Sequence, residues 1–324
     1  MRRLRGTVVL IGVLTACSGG GGQRAQNQGD QTTTSTSGAV TTSTIPPASV
    51  DSTSTSGTAV TAPPSTTTGA GAALRPIRTD RLKGPRSASP TARTLARVER
   101  GLRGSNRDPA YLRSLGRAQQ LAYRSLVAHP DWLQKVLAAV PADLRAAVQA
   151  NYDGGSNLGG LTGSAPAGFP NWTIRAPKPA PILRAYYAEA ERAYGVSWAY
   201  LAAIHFVETR LGRIHGNSNA GAQGPMQFIP TTWAAYGKGD INDDHDAILA
   251  AAHYLQANNA STDIDHAIYR YNNDQRYVAA IKAYASVMLA DSGAYDGYYQ
   301  WQVFYATTDG AFLLPEGWSA SGGG

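Results

Sequence analysis

Apolar residues recur at helical spacing through the second half of the chain and predict a mainly α fold. Five segments share this period with little strand pattern, at residues 182–194, 197–211, 246–258, 263–271 and 276–290. Short polar residues cluster before one of them, where Asn242 and Asp243 can cap free helix amides. We therefore expect a helical domain over residues 166–292.

A second, weaker helical pattern lies upstream of this domain. Leu112, Leu115, Trp132 and Val136 mark its period and predict a small helical subdomain over residues 75–165. A glycine-rich stretch at 154–168 and a proline-rich stretch at 170–181 would then be surface connectors between the two helical regions.

The chain ends in an aromatic extension over residues 293–324. Aromatic and branched residues at 298–305 and 312–314 are separated by Asp309-Gly310, which favours the turn of a short hairpin. The pattern indicates no role for this extension.

The first 17 residues have the order of a signal peptide. Arg2, Arg3 and Arg5 precede an apolar run at 6–16 that is too short to span a bilayer. The run ends in Leu14-Thr15-Ala16-Cys17, which resembles the bacterial lipobox. That resemblance implies cleavage before Cys17, lipid attachment to its thiol, and retention at the extracytoplasmic face of the cell membrane. The alternative is a secretory signal with an incidental cysteine.

Residues 18–74 are mostly Ser, Thr, Gly, Pro and Ala, with almost no aromatic or charged side chains. Such a segment buries too little apolar surface to offset its chain entropy, so we expect a disordered tether. A glycosylated stalk is the other interpretation. Because Cys17 is the only cysteine, a disulfide within the chain is excluded.

Positive charge is concentrated in one region of the folded part. Fifteen Arg or Lys stand against five Asp or Glu between Arg75 and Arg145, within a chain of net charge +7. If the protein is extracytoplasmic, anionic wall polymers or lipid head groups fit this charge better than nucleic acid. The alternative is a solvated arginine-rich surface without a partner.

One carboxylate falls on the apolar stripe of a predicted helix. Ile204, Glu208 and Leu211 are spaced by four and three residues, so Glu208 should face inward. It could pair there with Arg210 or Arg213. Alternatively it could line a cleft, where partial desolvation raises the pKa of its carboxyl enough for general acid catalysis near neutral pH.

Two further segments carry polar groups suited to a cleft. The glycine-rich stretch at 220–230 includes Gln227, whose amide can donate to and accept from a hydroxyl or acetamido group. Tyr271 shares a helical face with Ile268 and needs a hydrogen-bond partner, which a glutamate would supply. Plain core packing of Tyr271 and a helix C-cap at Asn272 are the simpler interpretations.

As an ordered set, these segments resemble the lysozyme-like lytic murein transglycosylases, especially the membrane-bound lipoprotein type of Actinobacteria. The resemblance covers about residues 186–289. The motifs that carry it are Glu208-Thr209-Arg210-Leu211-Gly212, Gly221-Ala222-Gln223-Gly224-Pro225-Met226-Gln227-Phe228-Ile229-Pro230, Gly239-Asp240-Ile241-Asn242-Asp243 before Asp246-Ala247-Ile248, and Tyr271-Asn272-Asn273. It implies a lysozyme-like domain that acts on peptidoglycan glycan strands.

The resemblance also assigns roles to individual residues. The family's catalytic glutamate matches Glu208, its Met-Gln pair matches Met226 and Gln227, and its Tyr-Asn pair matches Tyr271 and Asn272. By the resemblance, Tyr271 orients Glu208, Gln227 contacts the sugar or its acetamido group, and Met226 and Asn272 shape the cleft.

Three positions depart from the commonest family pattern. Thr209 stands where many members have serine and keeps the hydroxyl that would contact the sugar. Pro225 replaces leucine and stiffens the turn, whereas Arg270 replaces alanine and puts the details of the subsite in doubt. None of the three removes the expected acid.

The implied reaction uses one carboxyl group. Glu208 would protonate the bond between N-acetylmuramic acid and N-acetylglucosamine, then accept a proton from the muramyl C6 hydroxyl, which leaves a 1,6-anhydromuramyl end. A hydrolytic muramidase and a non-catalytic peptidoglycan-binding lipoprotein are the alternatives. The sequence predicts no cofactor and no metal, since a partial calcium-loop pattern at Asp240 lacks its glycine and its bidentate glutamate.

Overall fold

The computed structural model describes residues 74–320, and eleven α-helices account for most of their regular structure. The helices are α1 Ala88–Arg103, α2 Pro109–Ala128, α3 Leu133–Ala139, α4 Arg145–Leu161, α5 Ala180–Tyr194, α6 Trp198–Thr209, α7 Pro230–Tyr236, α8 Asp244–Ala257, α9 Ile264–Tyr271, α10 Gln275–Ala290 and α11 Ala294–Tyr299. Short 3₁₀ helices occur at Thr79–Arg81, Pro130–Trp132 and Ala142–Leu144. The strands are β1 Ile77–Arg78, β2 Thr173–Ile174, β3 Ile214–His215, β4 Val303–Thr307 and β5 Gly310–Leu314.

The mainly α prediction is confirmed, and its five helices lie within a few residues of the expected bounds. The caps explain where several of them begin. Asp243 accepts hydrogen bonds from the amides of His245 and Asp246 at the start of α8, and Asp263 accepts one from the amide of His266 near the start of α9. These short acidic side chains satisfy amides that the first helical turn leaves unpaired.

Helix α6 is the central element. Its sequence is apolar on almost every face, and ten of its twelve residues are buried. Such a helix must be surrounded by others. Helices α5, α8 and α10 pack against it. The side chains of the last turn of α6 are therefore fixed in position by contacts with several neighbouring helices.

The upstream helices join the same hydrophobic core. One continuous cluster of buried residues extends from Ala92 in α1 to Trp301 after α11. The indole nitrogen of Trp301 donates to Gln119 at 2.8 Å, and the amide of Gln119 donates to the buried Glu99 at 2.9 Å. The described helices on both sides of the predicted boundaries at residues 165 and 292 therefore share one core. The boundaries separate regions of different sequence pattern, and no break in the core coincides with them.

The prediction of a surface connector over residues 154–168 is wrong for its first half, because α4 continues to Leu161. Glycine has a low helix propensity, but here it permits close helix packing. A Cβ at Gly154 would lie 2.8 Å from the Tyr284 ring in α10, so only glycine lets α4 approach α10 this closely. The proline-rich stretch is also partly internal, since Trp172 is buried and β2 pairs with β3.

The predicted hairpin in the aromatic extension is confirmed. Strands β4 and β5 pair antiparallel with Thr307 opposite Gly310, and β1 pairs with the outer edge of β5. Tyr298 and Trp301 precede β4 and belong to the main core, so the strand part of the extension is shorter than the aromatic pattern.

Within residues 74–320, none of the helices is long and apolar enough to cross a membrane. The predicted signal peptide, the lipobox at Cys17 and the tether lie outside the described residues, apart from Leu74.

Candidate active site

Glu208 lies in the last turn of α6 and keeps only 6% of its surface exposed. Its only hydrogen-bond partner among the described residues is Tyr277, whose hydroxyl donates to Oε1 at 2.7 Å. Tyr277 is itself fully buried on α10. The packing of α10 against α6 therefore places one phenol against one carboxyl in an almost dry environment.

Burial raises the pKa of the Glu208 carboxyl to about 8, and the hydrogen bond from Tyr277 opposes part of that rise. A charged carboxylate loses hydration when buried, so the protonated form is favoured. No neighbouring carboxylate contributes to this pKa within the described part of the chain. At neutral pH Glu208 carries a proton that it can donate.

The expectation that Glu208 pairs with a nearby arginine is wrong. Arg213 instead donates to Glu316 at 3.0 Å and to the carbonyl oxygens of Trp301 and Tyr299. Arg210 stacks over the Phe206 ring and donates to the Phe206 carbonyl, on another side of α6. Glu208 is thus left as a neutral acid rather than as half of an ion pair.

The chain reverses direction sharply after Glu208. Arg210, Leu211 and Gly212 follow one another with φ of 56°, 62° and 80°, a left-handed run that is costly for the two residues with side chains. At Gly212 a Cβ would lie 2.6 Å from Oδ1 of Asp244, so a larger residue would displace that carboxylate in addition to straining the backbone. The hydroxyl of Thr209 stabilises this turn by accepting the Gly212 amide at 3.1 Å.

A second tight turn faces the end of α6. Gln223 and Phe228 exchange two backbone hydrogen bonds, which closes a four-residue loop between them. Gly224 begins this loop with φ of 72°, and a Cβ there would lie 1.8 Å from the carbonyl oxygen of Ile241. Glycine is therefore required both by the backbone angle and by the close approach of the next loop.

Two hydroxyl groups clamp this loop to the surrounding helices. Thr209 donates to the carbonyl of Pro225, and Tyr271 donates to the carbonyl of Met226, each at 2.6 Å. One clamp comes from α6, beside Glu208, and the other comes from the end of α9. The loop is thereby fixed relative to the acid.

The structure brings the sequence-predicted residues together around the loop, in roles that differ in part from the expected ones. The Tyr271 hydroxyl bonds Met226 rather than Glu208, so the expectation that Tyr271 orients the acid is corrected: Tyr277 holds that place. Thr209 and Met226 are fully buried, which leaves their side chains no surface for a sugar.

Gln227 and Asn272 complete the predicted set. Gln227 is partly exposed with φ of 52°, and its side-chain amide donates to the Gly224 carbonyl at 2.8 Å. Asn272 follows α9 as its C-cap and is 7% exposed.

Tyr277 was not among the predicted site residues, although the sequence contains a signal for it. Tyr277, Ile281, Tyr284 and Met288 are spaced by four, three and four residues, so they form the inner stripe of α10. A buried tyrosine needs a hydrogen-bond partner, and a buried glutamate needs a donor. To match Glu208 on α6 with Tyr277 on α10, one would have had to know that these two helices pack against each other.

Three of the four acidic residues at 240–246 accept backbone amides, as expected of turn and cap residues, whereas Asp244 lies 3.3 Å from Nε2 of the buried His205. Asp240 and Asp243 accept amides of the turn and of α8, and Asp246 accepts the Asp240 amide at 2.9 Å. The ligand atoms of Asp243, His245 and Asp246 lie within 4.8 Å of one another. Since the carboxylates of this group already bind backbone amides, it is explained without an ion.

Comparison with known families supports a single interpretation of this site. The family model described as the Transglycosylase SLT domain matches residues 185–288, which include Glu208, the clamped loop, Tyr271 and Tyr277. This segment is a transglycosylase SLT domain. Such a domain indicates a lytic murein transglycosylase of the lysozyme-like type, a glycan-cleaving lyase whose substrate is peptidoglycan. No curated protein and no solved structure gave a significant match.

The SLT domain contains most of α5, all of α6 to α9 and most of α10. Helices α1–α4, α11 and the terminal hairpin lie outside the match. Helix α4 nevertheless packs on α10, the helix that supplies Tyr277. The flanking helices therefore support the face of the SLT domain that holds the acid in place.

Proposed function

We propose that the SLT domain cleaves the β-1,4 bond between N-acetylmuramic acid and N-acetylglucosamine, with Glu208 acting first as acid and then as base. The observation that carries the proposal is the buried, protonated carboxyl of Glu208, to which the Tyr277 phenol donates a hydrogen bond. A carboxyl with a pKa of about 8 is a suitable proton donor near neutral pH.

In the first step, Glu208 donates its proton to the glycosidic oxygen while the bond from that oxygen to the muramyl C1 breaks. In the second step, the Glu208 carboxylate accepts the proton of the muramyl C6 hydroxyl, and the C6 oxygen bonds to C1. The glutamate ends as it began and no water is consumed. The hydrogen bond from Tyr277 stabilises the carboxylate between the steps.

The presence of one suitable carboxyl group at the described site favours this route over hydrolysis. Glycoside hydrolysis commonly uses two carboxyl groups that flank the scissile bond. No second carboxylate affects the pKa of Glu208 among the described residues. In the acidic run 240–246, Asp240, Asp243 and Asp246 accept backbone amides, and Asp244 lies 3.3 Å from Nε2 of His205. An internal hydroxyl attack removes the need for a second group. The alternative, a hydrolytic muramidase, would give reducing muramyl ends instead.

The remaining predicted residues fit two kinds of role in this proposal. Thr209, Met226 and Tyr271 fix the loop that faces the acid, through the hydrogen bonds of the two clamps. Gln227 and Asn272 retain some exposed surface and are the residues through which we expect the glycan to be contacted.

The test is the Glu208→Gln variant on purified peptidoglycan sacculi. Glutamine keeps the size of the side chain and can accept from Tyr277, but it cannot donate an acidic proton. We expect release of soluble fragments to be abolished while binding to sacculi persists. Glu191→Gln, a partly exposed glutamate on α5, is the matched control and should retain full activity. If the wild type and Glu208→Gln are equally inert, the chain is a non-catalytic glycan-binding protein.

We propose further that the protein is an actinobacterial lipoprotein, made with a signal peptide and anchored at the extracytoplasmic face of the cell membrane through lipidated Cys17. The basic segment 75–145 would then face anionic wall polymers or lipid head groups. Membrane fractionation of the wild type and of Cys17→Ala tests the anchor, since the variant should leave the membrane fraction. Equal membrane association of both would overturn the proposal.

A further inference from the structure

A buried histidine that the proposed reaction does not use lies about one turn before Glu208. His205 is on α6 and is fully buried. The hydroxyl of Tyr187, on α5, lies 2.8 Å from its Nδ1 atom. Its Nε2 atom lies 3.3 Å from Oδ1 of Asp244, in the first turn of α8. Among the described residues, neither Nε2 nor this Oδ1 has another hydrogen-bond partner.

The surroundings of the His205 ring decide which of its nitrogens carries the hydrogen. Burial raises the pKa of Tyr187 well above its ordinary value, so the Tyr187 hydroxyl keeps its proton and can donate it to Nδ1. The other nitrogen of the neutral ring then carries the hydrogen. With the opposite arrangement, a bare Nε2 lone pair would face the carboxylate of Asp244, and the two would repel each other. The group that faces Asp244 is therefore Nε2–H.

Asp244 also lies against the turn that follows Glu208. Its Oδ1 occupies the space beside Gly212, where a Cβ would lie 2.6 Å from that oxygen. Gly212 is the last residue of the left-handed run 210–212. Backbone in such a conformation persists only where the surrounding structure holds it. The Asp244 carboxylate is thus one of the contacts that hold this turn.

His205 contacts the same turn through its backbone. Its carbonyl oxygen accepts the amide of Leu211 at 3.1 Å, while its ring lies next to the carboxylate beside Gly212. Thr209 accepts the Gly212 amide and donates to the carbonyl of Pro225 in the clamped loop. These few contacts therefore connect the turn after the acid to the loop that faces it.

From these contacts we infer that His205 and Asp244 are positioning residues for Glu208, and that a hydrogen bond from Nε2–H to the Asp244 carboxylate holds the turn next to the acid. Three helices meet in this arrangement, since Tyr187 belongs to α5, His205 to α6 and Asp244 to α8. The assignment rests on the proposed role of Glu208 as the acid, and adds to it the means by which the acid is kept in place.

The first test is Asp244→Ala, assayed on soluble glycan strands released from sacculi. The variant removes a contact of the turn, and a small misplacement of a reacting group is costly, so kcat should fall about tenfold or more with KM unchanged. Lys178 lies 4.0 Å from Asp244 and keeps Asp243 as a partner at 3.5 Å, so the variant leaves it paired. Asp244→Asn retains an oxygen that accepts from Nε2–H and should recover most of the rate.

Asp265→Ala is the matched control. Asp265 also lies in a first helical turn and pairs with a lysine, Lys282 at 2.7 Å, but it is exposed on α9. Its variant should keep the kcat of the wild type. Circular dichroism and urea unfolding under the assay conditions show whether each variant is folded, because a loss of folded protein would also lower kcat.

Nitrogen-15 NMR of the histidine rings of the wild type tests the hydrogen bond directly, and it decides the matter if Asp244→Ala does not fold. His205 should carry its hydrogen on Nε2, and a hydrogen on Nδ1 would overturn the inference. So would a wild-type kcat in folded Asp244→Ala, or an equal loss in Asp265→Ala. An inert wild type would count against the proposed function itself, and is thereby distinguished from an active wild type whose kcat does not depend on Asp244.

Discussion

The buried proton of Glu208 should be visible in the pH dependence of stability. The Glu208→Gln substitution replaces a carboxyl whose pKa burial raises from 4.5 to about 8 with an amide that does not titrate. Below pH 4.5 the carboxyl is protonated in both the folded and the unfolded protein. Between pH 4.5 and about 8 the unfolded chain releases this proton while the folded chain keeps it, so the stability of the wild type falls as the pH rises.

The magnitude follows from the two pKa values. A difference of one pKa unit corresponds to about 1.4 kcal/mol, and pH 7 lies roughly 2.5 units above the ordinary pKa of a glutamate. The wild type should therefore lose up to about 3 kcal/mol of unfolding free energy between pH 4.5 and pH 7 through this residue alone. The unfolding free energy of Glu208→Gln should not fall in this way, because the amide does not titrate, so the variant should be more stable than the wild type at pH 7.

Urea unfolding of both proteins at a series of pH values from 4.5 to 8 measures this effect. All other titrating groups are common to the two proteins, so the difference in their unfolding free energies isolates Glu208. The difference should grow with pH in favour of Glu208→Gln. Glu191→Gln should show no such trend. A difference that stays flat across the series would refute the raised pKa and, with it, the protonated acid.

Three other outcomes follow from the same contacts. Tyr277→Phe removes the one hydrogen bond that Glu208 receives within residues 74–320; kcat should fall about 10- to 100-fold, and the alkaline limb of the pH profile should move above 8, since that bond lowers the carboxyl pKa. Gly224→Ala places a Cβ against the carbonyl of Ile241 at a residue with positive φ. It should lower the free energy of unfolding by at least about 2 kcal/mol, measured by chemical denaturation. A chain truncated after residue 292 loses buried aromatic residues of the shared core and should show no cooperative thermal unfolding.

Helical periodicity predicted the helices of the SLT domain because each has a continuous apolar face and a marked start. It placed Glu208 inward correctly for the same reason. The hairpin was also predicted, although its two-residue loop is Thr308-Asp309, one position earlier than Asp309-Gly310, and Gly310 is the first residue of β5. These features depend on local chemistry, which the sequence displays directly.

Long-range packing could not be predicted in this way. Residues 154–161 look like a linker by composition, yet Gly154 is in a helix because Tyr284 lies against it, 130 positions later. Among the tyrosines, only Tyr271 was named from the sequence as the partner of Glu208, although Tyr277 also lies on an apolar stripe, on the next helix. Only the packing of α10 on α6 decides between them.

The claim that Glu208 serves as both acid and base is tested most directly by the products. Sacculi digested by the wild type in oxygen-18 water and separated for mass spectrometry should yield muropeptides with 1,6-anhydromuramyl ends. These products should be lighter than the hydrolytic ones by one water and free of the label. Reducing muramyl ends that carry oxygen-18 would show that water, and not the C6 hydroxyl, attacks the sugar, and would contradict the single-carboxyl mechanism.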